Sequence, residues 1–197
     1  MKQSIGLIVL LSCIMLWSCS KNETGPSVVT PEQLVAQGWQ AYAGRSYQLA
    51  LDRFAEALRA NPNLVDAYNG SGWANAKLDS LTASVAGFSS GLLKDSTNLQ
   101  IKAGLSFVYN AQKQYVFSIS RASQVLQADP NWRFSRDTSA NFSDLHVLLA
   151  EDYFAVADFD SSLIQVRVLN SSFNADVTFL AGQSALANEI ERLRGLF

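Results

Sequence analysis

The residues equipped for chemistry are few and scattered. His146 is the only histidine, so a histidine-dependent nucleophilic triad or an imidazole metal site would have one ring to work with. Both cysteines, Cys13 and Cys19, fall in the first twenty residues. After Ser20 no thiol remains to build a disulfide framework, a redox pair or a thiolate metal site. Asp158 and Asp160 make a carboxylate pair, but one that reads as solvated, at a turn between helices. Gly70-Ser71-Gly72 has the letters of a phosphate loop, yet it falls within a helical pattern, follows no strand and lacks a following Gly-Lys-Ser. From these residues we assign no catalytic group, no metal ligand and no cofactor, and expect no enzyme. The chain offers aromatic rings instead: Trp39, Trp73 and Phe107 recur at intervals of 34. Large rings are typical anchors for binding another molecule.

The period belongs to the whole middle of the chain. Gly38, Gly72 and Ser106 share the spacing of 34, as do Ala50, Ser84 and Ser118, and Phe54 and Phe88. Pro62 and Pro130 stand 68 apart, two periods. A fixed period of this length marks stacked supersecondary units. Small residues such as Gly38 and Ala50 let two helices of a hairpin approach closely. Phe54 fills the space against the next hairpin, and proline ends the second helix because it has no N–H to continue it. These residues resemble the tetratricopeptide repeat (TPR), with its small residue on the first helix, Ala-x3-Phe step on the second and closing proline. The resemblance implies an all-α, right-handed solenoid of about four hairpins over residues 31–64, 65–98, 99–132 and 143–176. The pattern has departures: Ser96 and Asn174 stand where proline is usual, and Lys102 where a large apolar residue is. The fourth unit starts late, leaving residues 133–142 as an insertion that carries Phe134 and Phe142, just after Trp132.

Local signals frame this array. Thr30-Pro31-Glu32-Gln33 predicts a helix start, with a Thr cap, Pro at the first helical position and Gln completing a capping box. Leu186, Ile190, Leu193 and Phe197 recur at helical spacing among Glu189, Glu191, Arg192 and Arg194. That predicts an amphipathic capping helix over about 180–197, its apolar stripe turned onto the last hairpin.

The N-terminus reads as an address. Lys2 is followed by an apolar run from Ile5 to Trp17, the length of a signal-peptide core and too short to span a membrane. Leu16-Trp17-Ser18-Cys19 resembles the bacterial lipobox, which implies cleavage of residues 1–18 and acylation of Cys19. Leu10-Leu11-Ser12-Cys13 fits by letter but leaves a much shorter apolar core, and an ordinary cleaved signal with a coincidental cysteine is the other alternative. Residues 19–30 then form the lipidated cysteine and a polar, Gly-Pro-containing leash. Ser20 in place of aspartate implies, by resemblance, an outer-membrane destination facing the periplasm.

Among these 197 residues the formal net charge is −2, which excludes the basic field of a nucleic-acid binder. In arrays of this kind the first helix of each hairpin lines a concave face. The resemblance therefore places Trp39, Tyr42, Asn69, Trp73, Lys77, Phe107 and Asn110 there as partner-binding candidates, beside Val35, Ala103, Val147, Glu151 and Phe154. The expected function is a lipid-anchored adaptor for a protein or peptide partner in the cell envelope. The alternative is capture of a small molecule or glycan on the aromatic groove. Whether the Trp39–Trp73–Phe107 ladder is open, or is covered by the 133–142 insertion, is left open by the sequence.

Overall fold

The computed structural model describes residues 29–137 and 140–196. The described residues form helices α1 (Pro31–Ala43), α2 (Tyr47–Ala60), α3 (Val65–Lys77), α4 (Leu81–Lys94), α5 (Leu99–Ala111), α6 (Tyr115–Ala128), α7 (Phe142–Ala155), α8 (Phe159–Leu169) and α9 (Leu180–Arg194). The first eight pair as consecutive antiparallel hairpins. Odd-numbered helices of adjacent hairpins touch one another, whereas α2, α4, α6 and α8 do not. The stack therefore curves towards the odd-numbered helices, which line its inner face. Cys19 and its alternative Cys13, the leash before Val29, and Phe197 lie outside the described residues. No described helix is long and apolar enough to cross a membrane.

The small-residue positions do what close packing demands. A Cβ added at Gly38 would meet the Phe54 ring at 2.5 Å, and one added at Gly70 would meet the same ring at 2.2 Å. Phe54 is thus clasped between its own hairpin and the next. Phe88 repeats the arrangement between Gly72 and Gly104, at 2.4 and 2.3 Å. At the facing position on the second helix, where the first hairpin has Ala50, a serine closes each of the other three hairpins with a hydrogen bond. The hydroxyls of Ser84, Ser118 and Ser162 donate to the carbonyls of Gly72, Ser106 and Ala150 at 2.7, 2.9 and 2.7 Å. Each is fully buried and each has its partner, as burial of a hydroxyl requires.

The caps explain the boundaries. The Gln33 amide donates to Thr30 Oγ1 at 3.2 Å and the Thr30 amide to Gln33 Oε1 at 2.9 Å, the reciprocal box expected there. Asn141 and Asp144 build a second such box at the start of α7. Asp158 is exposed and caps α8 by accepting from the Ser161 amide. Leaving α2, α4 and α6, the chain turns on Asn61, Asp95 and Asp129, whose side chains each accept from the amide two residues on at 3.0 Å. That turn makes the proline dispensable, so Ser96 costs the second hairpin nothing in direction. Inside each hairpin one residue takes a left-handed backbone: Arg45, Asp79, Lys113 and Ala157, with φ between 56 and 63°.

Apolar burial falls into two clusters. The larger runs from α1 to α7 and includes Phe54, Phe88, Ile101, Leu105 and Leu145. The smaller joins Val147, Ala150, Leu163 and Val166 to Leu186, Ile190 and Leu193 of α9. Those three leucine and isoleucine side chains of α9 seal the last hairpin.

Candidate functional site

Residues 133–137 and 140–141 form a strap that re-enters the inner face. Its ends are joined by an antiparallel bridge between Arg133 and Asn141, and the Phe134 amide donates to the Ala140 carbonyl at 2.9 Å. The Phe134 ring stacks on Trp73 with centroids 4.2 Å apart and planes 25° apart. It also meets Trp39 and Tyr42 edge-on at 6.0 and 6.4 Å. The ladder is therefore covered. Trp39, Tyr42, Asn69 and Trp73 are only 3–6% exposed. Of the two arrangements the sequence leaves open, the covered one is found: four of the seven partner-binding candidates lie beneath the chain's own strap. The surface on which a sugar would stack is covered with them.

Polar contacts pin the strap at its rim. The Arg136 guanidinium donates to Asp66 Oδ2 at 2.7 Å and sits 5.0 Å over the Trp39 ring. Trp39 Nε1 donates to the same oxygen at 2.9 Å. Lys77 remains exposed and pairs with Asp137 at 3.7 Å. Beneath the cover, Tyr42 Oη, Asn69 Oδ1 and Trp73 Nε1 are buried without a hydrogen-bond partner. Burial, reinforced by the nearby charge of Asp137, holds the Tyr42 hydroxyl far above its ordinary pKa.

Phe107 and Asn110 occupy the uncovered end. Phe107 is half-buried, 6.1 Å from Trp73. Asn110 donates its amide to Asp152 Oδ1 at 2.7 Å. Between α5, α7 and α9 lies a cleft of about 450 Å³, lined among others by Asn110, Lys113, Tyr115, Glu151, Phe154 and Arg194. A smaller recess of about 210 Å³ adjoins it, sharing Asn110, Glu151 and Arg194 and adding Phe107 and Asp144. Arg194 bridges Glu151 at 3.2 Å and Glu191 at 3.4 Å across the mouth. Burial raises the carboxyls of Glu151 and Asp144, Arg194 opposing it at Glu151. Beside the cleft Asp152 is fully buried, and burial pushes its carboxyl up to about 6. The cleft therefore presents aromatic faces with both signs of charge, a surface suited to gripping another molecule. Sequence reasoning placed Phe154 and Glu151 on this face but gave no role to Arg194, which reaches it from the closing helix.

The residues weighed for catalysis have structural employment. His146 Nδ1 lies 2.9 Å from Gln165 Oε1, and its ring packs edge-on against Phe142. Gly70-Ser71-Gly72 is part of α3, its glycines facing Phe54 and Phe88. The letters Gly-x-Ser-x-Gly do occur, at Gly87-Phe88-Ser89-Ser90-Gly91. They fall inside α4 with Ser89 exposed, whereas a nucleophile elbow needs a sharp strand-to-helix turn. Among the described residues no three of His, Cys, Asp or Glu converge as metal ligands would.

No family model matches the chain, and no curated protein matches it. Solved structures do. A structure of MamA from Desulfovibrio magneticus RS-1, spanning residue 41 to its end, superposes with a TM-score of 0.60 at 16% identity, over 73% of this chain and 78% of that one. A crystal structure of MamA gives 0.57 at 15% identity, over 73% and 82%. The TPR domain of Arabidopsis OM64 gives 0.55 at 16% identity, over 62% and 93%. Identities this low speak for the fold, and the fold is an all-α, TPR-like solenoid of four hairpins and a closing helix.

Proposed function

We propose that this chain is a membrane-tethered adaptor of the bacterial cell envelope, holding a protein or peptide partner on the uncovered end of its inner face. The observation that carries the reading is the cleft between α5, α7 and α9, where Phe154, Tyr115 and Asn110 stand beside Lys113, Glu151 and Arg194. It is concave and mixes rings with charges, and rigid helices supply its walls. Phe107, Asn110 and Lys77 are the partner-binding candidates left accessible, whereas Trp39, Tyr42, Asn69 and Trp73 would contact a partner only with the strap displaced. The TPR-like fold supports a protein partner in general. The lipobox-like letters ending at Cys19 support acylation, with residues 20–30 as the leash and the outer membrane as the anchoring surface. More than one acyl chain on the cysteine would make the anchoring stable.

Photocrosslinking tests the adaptor reading. A photoreactive residue at Phe154, or at Phe107, is expected to trap one discrete envelope protein in cells, and one at exposed Leu93 on α4 to trap none. The same pattern from all three positions, or no adduct from any, would refute it. Fractionation tests the anchor: Cys19→Ser should move the protein out of the membrane pellet and abolish fatty-acid labelling. Label that survives there but is lost in Cys13→Ser would move the anchor to Cys13.

A further inference from the structure

The strap covers the inner face without filling it. On one side of Arg136 and Asp137 lies a solvent-open cleft of about 640 Å³ bordered by Tyr42, Arg45, Tyr47 and Lys77. On the other, a recess of about 240 Å³ runs along Val35, Trp39, Leu64 and Asp66. A third, of about 270 Å³, opens between Trp73, Phe107 and Ala140. A segment shaped as permanent core would satisfy the polar atoms it buries. This one leaves three orphan atoms beneath it, on Tyr42, Asn69 and Trp73. Beyond the bridge at its base and the Gln100 amide donating to the Arg133 carbonyl at 3.2 Å, its hold includes one deep ring, Phe134, and two rim ion pairs, Arg136–Asp66 and Lys77–Asp137, whose side chains are each 28–44% exposed. Exposed pairs of that kind contribute little to stability. The contacts have the form of a bound peptide: a short segment bent at Ser135 and Arg136, one buried aromatic anchor, and charges matched at the edge.

We infer that residues 133–137 act as a tethered stand-in for a partner peptide, and that the groove over Trp39 and Trp73 receives a short protein segment bearing an aromatic residue and, two positions on, an arginine. The groove itself specifies that chemistry. Trp73 offers a flat face for stacking, and Tyr42 and Trp39 offer edges around it. Asp66 and the Trp39 ring together form a guanidinium seat. Lys77 stands ready for an acidic residue next to the arginine, as Asp137 shows. An incoming segment that also hydrogen-bonds Asn69 or Tyr42 gains contacts the strap never makes. Because the strap is tethered, it competes at a high effective concentration, so a partner must match its pattern or present it many times over. The inference rests on the adaptor reading but concerns a different part of the face from the α5–α7–α9 cleft.

The test is binding in trans of a labelled peptide with the sequence of residues 131–137, Asn-Trp-Arg-Phe-Ser-Arg-Asp, followed by fluorescence anisotropy with the full-length chain in detergent. Wild type should bind weakly. Phe134→Ala empties the anchor seat without altering the groove, and should bind about tenfold tighter or more. Arg136→Ala, which leaves the ring seated, should tighten binding several-fold. Adding Trp73→Ala to Phe134→Ala, or replacing the peptide's phenylalanine by alanine, should remove the gain. Three results would overturn the inference. The first is a Phe134→Ala chain that keeps its helical circular dichroism and binds no tighter. The second is loss of that signal, which makes the strap an obligate part of the core. The third is concentration-dependent dimers of wild type that Phe134→Ala abolishes, which assigns the groove to a second copy of this chain. Crosslinking at Phe154 is scored separately, so failure here leaves the adaptor reading standing.

Discussion

Replacing Asp152 by asparagine should make the protein more stable at neutral pH and remove most of a pH dependence that runs opposite to the usual one for a carboxylate. Asp152 is 0% exposed, accepts from Asn110 through Oδ1, and leaves Oδ2 without a donor. The neighbouring Ser118 hydroxyl is within reach, but its proton is committed to the Ser106 carbonyl. Burial dominates and the carboxyl rises from 3.8 to about 6. A rise of about two units corresponds to about 3 kcal/mol. The sign follows from proton counting. Between about pH 4 and pH 6 the folded chain holds a proton that the unfolded chain has released, so stability falls as pH rises through that window. Above it the penalty is complete; below it both states are protonated and the penalty vanishes. Asparagine keeps the acceptor for Asn110 and never ionises. Urea unfolding of residues 27–197 at several pH values should show the variant ahead by up to about 3 kcal/mol at pH 7.5, shrinking towards zero near pH 4. A difference that does not change with pH, or one that grows on acidification, would refute this reasoning.

Other substitutions read other parts of the structure. Trp73→Ala removes a ring that is 6% exposed and stacked on Phe134, and should cost about 3–5 kcal/mol, lowering the melting temperature by roughly ten degrees; a normal melt would show the strap contributes no burial there. Gly70→Ala drives a Cβ to 2.2 Å from a Phe54 ring that Gly38 blocks from retreating on its other side. Overpacking of about 1–3 kcal/mol should outweigh the gain in helix propensity of about 1 kcal/mol, and a raised melting temperature would count against that clasp. Ala157→Gly relieves a left-handed alanine at φ 63° in an exposed turn and should raise the melting temperature by about two to four degrees, with a lowered value indicating that the turn is not strained.

The array was legible because its packing is written in residue size. Gly38, Gly72 and Ser106 mark where helices touch, and Phe54 and Phe88 mark what wedges between hairpins. The second half of each clasp, Gly70 and Gly104, carries the same period of 34 but sits where glycine in a helix reads only as a weakness. The turns inside the hairpins gave no signal, because Arg45, Asp79, Lys113 and Ala157 adopt a backbone that composition announces only when glycine is present. Access to the binding face is what the sequence leaves open. Trp39 and Trp73 do point inward, but a ring in the non-repeating segment 133–142 decides what they meet. Periodicity says nothing about where a non-repeating segment goes, and Phe134 had no counterpart to compare with. Arg194 was hidden for a similar reason: it was read as the polar side of a capping helix, whereas the turn of α9 across α7 brings it to Glu151.

The strap also changes how the stack comes apart. An array whose units touch only their neighbours can fray from either end, one hairpin at a time. Arg136 bonds Asp66 across 70 residues of chain, and Phe134 lies against Trp39 and Tyr42 of the first helix. The first hairpin is thus buttoned to a segment that follows the third. Closing that circuit raises the contact order, which slows folding, and ties the N-terminal helix's amide exchange to opening of the middle of the molecule. A segment that displaced the strap would unbutton the first hairpin, so that occupancy of the groove is transmitted to the N-terminal end of the array.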